Sequence, residues 1–177
     1  KYHTLLSKRF DRTEEGRRNH FASAMTLLGL TDGCDAKSGN GYLDIVDFIL
    51  QNCCDVNENL RQLYRRVAFN IAIGNSDDHF RNHGFLLTLK GWTLSPAYDM
   101  NPTLSEYQSL LINSSTNESN LKILLESCEE YMISKDEAQK IIVEVMDGVC
   151  KWRTIAVCLG IGKREIDMFE QVYNKVL

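Results

Sequence analysis

The sequence predicts a mainly α-helical domain, a helical bundle interrupted by one β-hairpin. Three observations carry this. Apolar residues recur at three- and four-residue spacing over long stretches. Both prolines, Pro96 and Pro102, fall in one short segment and leave the rest of the chain free to be helical. A single run changes character: Phe85-Leu-Leu-Thr-Leu89, then Lys90-Gly91, then Trp92-Thr-Leu94, two apolar stretches around a two-residue turn.

In chain order, Asn19 is positioned to cap a helix carrying Ala22, Met25 and Leu28, stopped near Gly29. Gly39-Asn40-Gly41 marks a loop. Tyr42, Ile45, Val46, Ile49, Leu50 and Cys53 then form an apolar stripe at helical spacing. The next helix is the clearest. Leu60, Leu63, Tyr64, Val67 and Ile71 line one face, and Gly74-Asn75 supplies the stop. Arg61, Arg65 and Arg66, like Arg17 and Arg18, are expected on solvated faces. Trp92 and Tyr98 read as core aromatics under the hairpin. The Ser- and Asn-rich stretch 105–120 reads as a mobile connection. Ser134-Lys-Asp-Glu137 has the form of a capping box, opening a helix with Ala138, Ile141, Ile142, Val145, Val149 and Trp152 on one side. A last helix is expected from about Lys163 to Lys175, with Ile166, Phe169, Val172 and Tyr173 inward.

Composition bounds the function. A chain of 177 residues fits one domain with a substantial core. A net charge of −4 argues against general nucleic-acid binding. No apolar run approaches the ~20 residues that cross a bilayer, and no basic-plus-apolar signal segment opens the chain, so no membrane is expected. The six cysteines contain no C-x-x-C pair and read as buried thiols of a reducing cytoplasm.

The chemistry concentrates between Gly74 and Asn101, where Asp77, Asp78, His79, Arg81, Asn82, His83 and Asp99 crowd a loop–hairpin unit. Asn82 lies five residues after Asp77, the Asp-to-Asn interval of the protein-kinase catalytic loop. The reaction explains that interval. One carboxylate must accept the proton of a hydroxyl held in line with a γ-phosphate. A neutral carbonyl oxygen suits Mg²⁺, and a second carboxylate must reach the metal from the other side. Asp99 follows the hairpin and is placed for that third role. Blander readings stand beside these. Asp77 could cap its loop, and Asp78 could be an exposed charge or a rival base. His79 and His83, four apart, would share a face on a helix as zinc ligands do, but they follow a helix stop and lack the accompanying glutamate. His83 is as readily structural as functional. Arg9 and Arg12 could simply pair with Asp11.

Asn75-Ser-Asp-Asp-His-Phe-Arg-Asn-His-Gly-Phe85, Leu94-Ser-Pro-Ala-Tyr-Asp-Met-Asn-Pro102 and Lys8-Arg-Phe-Asp-Arg12 with Gly16-Arg17-Arg18 together resemble the signature of HipA-like serine/threonine protein kinases. The resemblance implies a protein-kinase-like C-lobe of the HipA C-terminal type. It implies a hinge at about 7–12, a catalytic loop at 74–84, a metal-binding segment at 94–102 and a helical tail over 119–177. Lys8 and Phe10 would hold adenine through backbone groups, with Asp11 near the ribose. Lys8 stands where the family usually has Glu, a change that backbone hydrogen bonds tolerate. Asp77 would be the catalytic base, Asn82 and Asp99 the Mg²⁺ ligands, and His79 and Arg81 neighbours of the ATP phosphates. The implied substrate is a protein Ser/Thr hydroxyl, an aminoacyl-tRNA synthetase being one substrate type of the family, and the implied partner is a DNA-binding antitoxin. In the family a Gly-rich loop and a phosphate-binding Lys precede the hinge. Neither is among these residues, so an N-lobe is expected outside this sequence or on another polypeptide, and little transfer is expected from these residues alone. Two alternatives remain open: a kinase-like interaction module or pseudokinase, and a metal-dependent hydrolase built on His79, His83 and the aspartates.

Overall fold

A computed structural model describes residue 4, residues 6–103 and residues 105–173. Strand β1 (Phe21–Ser23) leads directly into the one-turn helix α1 (Ala24–Leu27). Helices α2 (Tyr42–Asn52) and α3 (Val56–Ile73) follow, then strands β2 (Gly84–Thr88) and β3 (Gly91–Leu94). Four more helices complete the order: α4 (Leu121–Glu126), α5 (Lys135–Val149), α6 (Trp152–Cys158) and α7 (Lys163–Tyr173). No helix among the described residues is long and apolar enough to cross a membrane.

The hairpin forms where expected, with Phe85 opposite Leu94, but Thr88 pairs with Gly91, so the turn is Leu89-Lys90 rather than Lys90-Gly91. It gains a third, antiparallel strand: Ala22 pairs with Phe85 and Ser23 with Gly84. This corrects the helix expected from Asn19. Residues 21–23 are drawn out by pairing with β2, and the helix begins only after Ser23, whose Oγ accepts from the Thr26 N–H at 3.3 Å. The Asn19 side chain instead donates to the Phe10 carbonyl at 3.1 Å. The close approach of β1 to β2 needs Gly84, where a Cβ would drive into the Phe21 ring.

The core lies between α2, α3 and α5. Tyr42, Ile45 and Ile49 of α2 and Leu60, Leu63, Tyr64, Val67 and Ile71 of α3 are fully or almost fully buried, as their spacing predicts. At about 25 cal/mol per Å² this burial is the main stabilising contribution. Ala138, Ile141 and Val145 of α5 close the other side. Of the α3 arginines, Arg61 is exposed as expected and Arg65 is half-buried, whereas Arg66 departs from the expected solvated face. Arg61 pairs with Glu137 and Arg65 with Glu144 at 2.9 Å, both on α5. Arg66 is buried and donates to the Ser95 carbonyl. Ser134 caps α5 by accepting from the Glu137 N–H at 3.4 Å, while the Glu137 carboxylate turns to Arg61 rather than back to the cap.

The stretch 105–120 is packed rather than loose. Leu110 and Ile112 are completely buried. Ser109 N–H donates to the Ser76 carbonyl at 3.0 Å, and Tyr42 N–H to the Leu111 carbonyl at 3.0 Å. Its polar composition hides two core residues and a set of backbone bonds to the loops beside it. Trp152 does not extend α5. It opens α6, and its ring stacks on Tyr173 of α7 with centroids 4.5 Å apart. Ile166 is buried and Phe169 half-buried, as expected. The predicted end near Lys175 and the side chain of Val172 lie outside the described residues.

Candidate active site

Gly74 ends α3 in the left-handed region, φ 68°. The chain beyond it is clasped from the far side of the hairpin. Thr103 donates from its backbone N–H and its hydroxyl to the Gly74 carbonyl, each at 2.8 Å, and its Oγ1 accepts from the Ser76 N–H at 3.0 Å. A second tie joins the two chemically rich segments directly: the Tyr98 hydroxyl donates to the Arg81 carbonyl at 2.6 Å. Segments 74–84 and 94–102, separate in sequence, are thus one structural unit.

Within it the two adjacent aspartates part company. Asp77 is exposed and Asp78 is buried, which rules out the reading of Asp78 as a surface charge. Three donors converge on Asp78 Oδ2: the Tyr42 hydroxyl at 2.7 Å, Asn70 Nδ2 at 2.6 Å and His83 Nε2 at 2.8 Å. Burial by itself would raise the carboxyl's pKa, but the neighbouring His83 and the Tyr42 bond outweigh it and hold it below the ordinary 3.8. Burial, then the Asp78 charge, push the Tyr42 hydroxyl well above its ordinary 10.0. A carboxyl with a depressed folded pKa stabilises the fold above its unfolded value, and that contribution is lost as pH falls through the folded value. Thermal melts should therefore show the wild type more stable than Asp78→Asn by about 3 kcal/mol at neutral pH, the gap closing below about pH 4. A gap that stays constant on acidification would mean that the Asp78 charge is not its source.

Asn82 is buried in a short 3₁₀ turn over Phe80–Asn82. Its backbone N–H donates to the His79 carbonyl at 2.8 Å, and its side-chain NH₂ donates to the Asp77 carbonyl at 3.3 Å. With the amide nitrogen turned onto the loop, the side-chain oxygen is left to act as an acceptor or ligand. Asp99 is exposed and sits in the left-handed region, φ 56°, its Oδ1 accepting from Asn101 Nδ2 at 2.9 Å. One neutral carbonyl oxygen and one carboxylate are hard oxygen donors of the kind Mg²⁺ takes, so the pair fits that ion chemically. His79 is half-buried at the start of the turn, and its Nδ1 has no hydrogen-bond partner. The Arg81 side chain pairs with Asp32 at 2.9 Å, a residue that sequence reasoning did not single out. His83 belongs to the Asp78 network, which decides its structural role. Among the described residues no three His, Cys, Asp or Glu side chains group so as to hold a metal ion.

Beside this unit lies a cleft of about 330 Å³ lined by Ser7, Lys8, Arg9, Phe10, Asp11, Phe21 and Tyr98. The two predicted adenine-binding residues, Lys8 and Phe10, and the predicted ribose neighbour Asp11 share it with two aromatics that sequence reasoning placed elsewhere or missed. Tyr98 is a correction: it is half-buried and not under the hairpin. Its ring stacks on Phe10 at 5.9 Å between centroids, with Phe21 5.7 Å from Phe10. Its place directly before Asp99 was the available signal. Trp92 does stay with the hairpin, against His20 at 5.5 Å. Asp11 accepts from Arg9 at 2.7 and 2.6 Å and from Arg12 at 2.6 Å. The Arg9 hydrogen bonds above all draw its carboxyl down to about 2.

The chain resembles known proteins in sequence and in fold. A Haemophilus influenzae protein named "Putative kinase" is 29% identical over 97 residues, which are 51% of this chain and 28% of that protein. A chain from the Shewanella oneidensis MR-1 toxin–antitoxin complex of HipA, HipB and operator DNA has the same fold, with a TM-score of 0.77 at 16% identity. That match covers 94% of this chain and 46% of the other, so the chain spans less than half the length of either relative. The model of the HipA-like C-terminal domain family matches residues 1–153, which takes in the cleft, the loop 74–84, the hairpin and α5. With most of its length matched and its fold in agreement, the chain belongs to the HipA-like C-terminal domain family.

Proposed function

We propose that this chain is the catalytic lobe of a HipA-type serine/threonine protein kinase, a protein-kinase-like C-lobe working with ATP and Mg²⁺. The observation that carries the reading is the joined unit: an exposed Asp77 beside Asn82, tied through Tyr98–Arg81 to the segment bearing Asp99, with the Phe10–Tyr98 cleft alongside. In this reading the backbone at Lys8 and Phe10 holds the adenine edge while the Phe10 and Tyr98 rings bound the cleft. Asp11, already fixed by two guanidinium groups, is the nearest carboxylate to offer the ribose hydroxyls. Asp77 accepts the proton of the Ser or Thr hydroxyl and keeps that oxygen aimed for in-line attack. Asn82 and Asp99 would hold Mg²⁺, which neutralises phosphate charge when bound. His79 offers its unpartnered nitrogen near the phosphates, and Arg81 would exchange Asp32 for them.

The relationship to a HipA–HipB–DNA complex supports a DNA-binding antitoxin as partner. An aminoacyl-tRNA synthetase is the first protein substrate to try. The reading is tested with the intact protein by measuring nucleotide binding and phosphoryl transfer against Mg²⁺. Nucleotide is expected to bind only with Mg²⁺. Tight Zn²⁺ binding without nucleotide would reject the reading in favour of a hydrolase, and nucleotide binding indifferent to metal would favour a pseudokinase.

A further inference from the structure

We infer that Asp78, together with Tyr42, Asn70 and His83, is a positioning device for the loop that carries Asp77 and Asn82; this rests on the kinase reading above. Each of the two proposed working residues is followed directly in sequence by one member of a buried, mutually bonded pair. Asp78 follows Asp77, His83 follows Asn82, and the Asp78–His83 bond of 2.8 Å closes the intervening residues into a ring. That ring is fastened to two helices at once. Tyr42 is the first residue of α2, and Asn70 lies in the last turns of α3. Asn70 extends the fastening by accepting from Asn75 Nδ2 at 3.1 Å and, through its backbone carbonyl, from the Asn75 N–H at 2.8 Å. All four residues of the network are at most 3% exposed. The Tyr42 ring meets the His83 ring edge-on, centroids 5.7 Å apart.

Fold stability alone does not call for this arrangement. A buried charged network stabilises no better, in general, than apolar residues of the same volume. What it supplies is direction. Three donors on one carboxylate oxygen fix Asp78 in one inward orientation, and the residue next to it, Asp77, is exposed. Pinning Asp78 inward is what holds Asp77 outward. The Asn82 bond to the Asp77 carbonyl passes the same constraint on to the proposed metal ligand. Phe80, completely buried within the ring, is an apolar anchor that keeps the loop in place but cannot set these directions.

The test compares Asp78→Asn and Tyr42→Phe with wild type in the intact protein. Three readouts are taken: amide hydrogen exchange over residues 77–82, the apparent Mg²⁺ affinity in the presence of ATP, and kcat against KM for ATP. Both variants are expected to raise exchange in that loop while α3 and α5 stay protected. Mg²⁺ affinity or kcat should fall about 10- to 100-fold, as when partners that orient metal ligands are lost, with KM for ATP changed far less. Tyr42→Phe removes one hydroxyl, so it keeps the test decisive where Asp78→Asn unfolds. Unchanged loop exchange in a folded variant, or a loss of kcat no greater than the fraction unfolded, overturns the inference. If wild type binds no Mg·ATP the kinase reading fails separately, and loop exchange alone still decides whether the network positions the loop.

Discussion

Asp77→Asn is expected to lower phosphoryl transfer by about 10²- to 10⁴-fold, the usual contribution of a positioned general base, while ATP still binds. The Asp77 side chain is exposed, and the loop contact this residue makes with Asn82 runs through its backbone carbonyl, which the substitution keeps. The amide cannot accept the hydroxyl proton but fills the same space. The melting temperature should therefore stay at the wild-type value. This sets the variant apart from Asp78→Asn, which removes a charge from a buried network and is expected to melt lower. The check is a single-turnover transfer assay beside nucleotide binding and a thermal melt. Wild-type turnover in Asp77→Asn would remove Asp77 from the mechanism and return attention to a substrate-held base.

Asp99→Gly is expected to separate stability from function in the opposite sense. Asp99 holds a left-handed backbone at φ 56°, a conformation costing a non-glycine residue about 1 kcal/mol or more and tolerated best by Asn and Asp. Glycine adopts it freely, so the variant should melt at or slightly above wild type, the relief offsetting the loss of an exposed hydrogen bond to Asn101. The same change removes the only charged ligand of the proposed Mg²⁺ pair, and Mg²⁺-dependent nucleotide binding should vanish. Asp99→Ala is expected to lose binding equally while keeping the strain, and so to melt lower than Asp99→Gly. Retention of Mg²⁺-dependent binding in either variant would reject Asp99 as a ligand. Strain kept at a residue that bears a needed carboxylate is a pattern of working sites rather than of ordinary turns.

Much of the fold was legible because it obeys local rules. The apolar stripe Leu60–Ile71 and the Gly74 stop describe α3 almost to its ends, since a helix buried along one face must repeat every three to four residues. The Lys90-Gly91 signal marks the hairpin to within one residue, the turn itself being Leu89-Lys90 because Gly91 pairs with Thr88. The errors share a cause. Phe21–Ser23 has no strand pattern of its own and is extended because β2 offers it an edge. Arg66 looks like any surface arginine until the Ser95 carbonyl is brought beside it. The stretch 105–120 is polar by count, yet Leu110 and Ile112 fill the core, because two residues suffice when the polar ones satisfy backbone groups.

The candidate site divides along the same line. The sequence by itself determined the family signature, the Asp77–Asn82 interval, the position of Asp99 after a hairpin and the hinge-like run at Lys8–Asp11. These are facts of spacing along one chain, and spacing survives without coordinates. Only the tertiary structure decided which of two adjacent aspartates faces solvent, that His83 serves Asp78, and that Tyr98 leaves the core to line the cleft beside Phe10 while clasping the two segments through Arg81. Each of those depends on donors and rings brought in from elements far apart in sequence. The direction of a side chain is set by what packs against it, and a one-dimensional pattern does not record that.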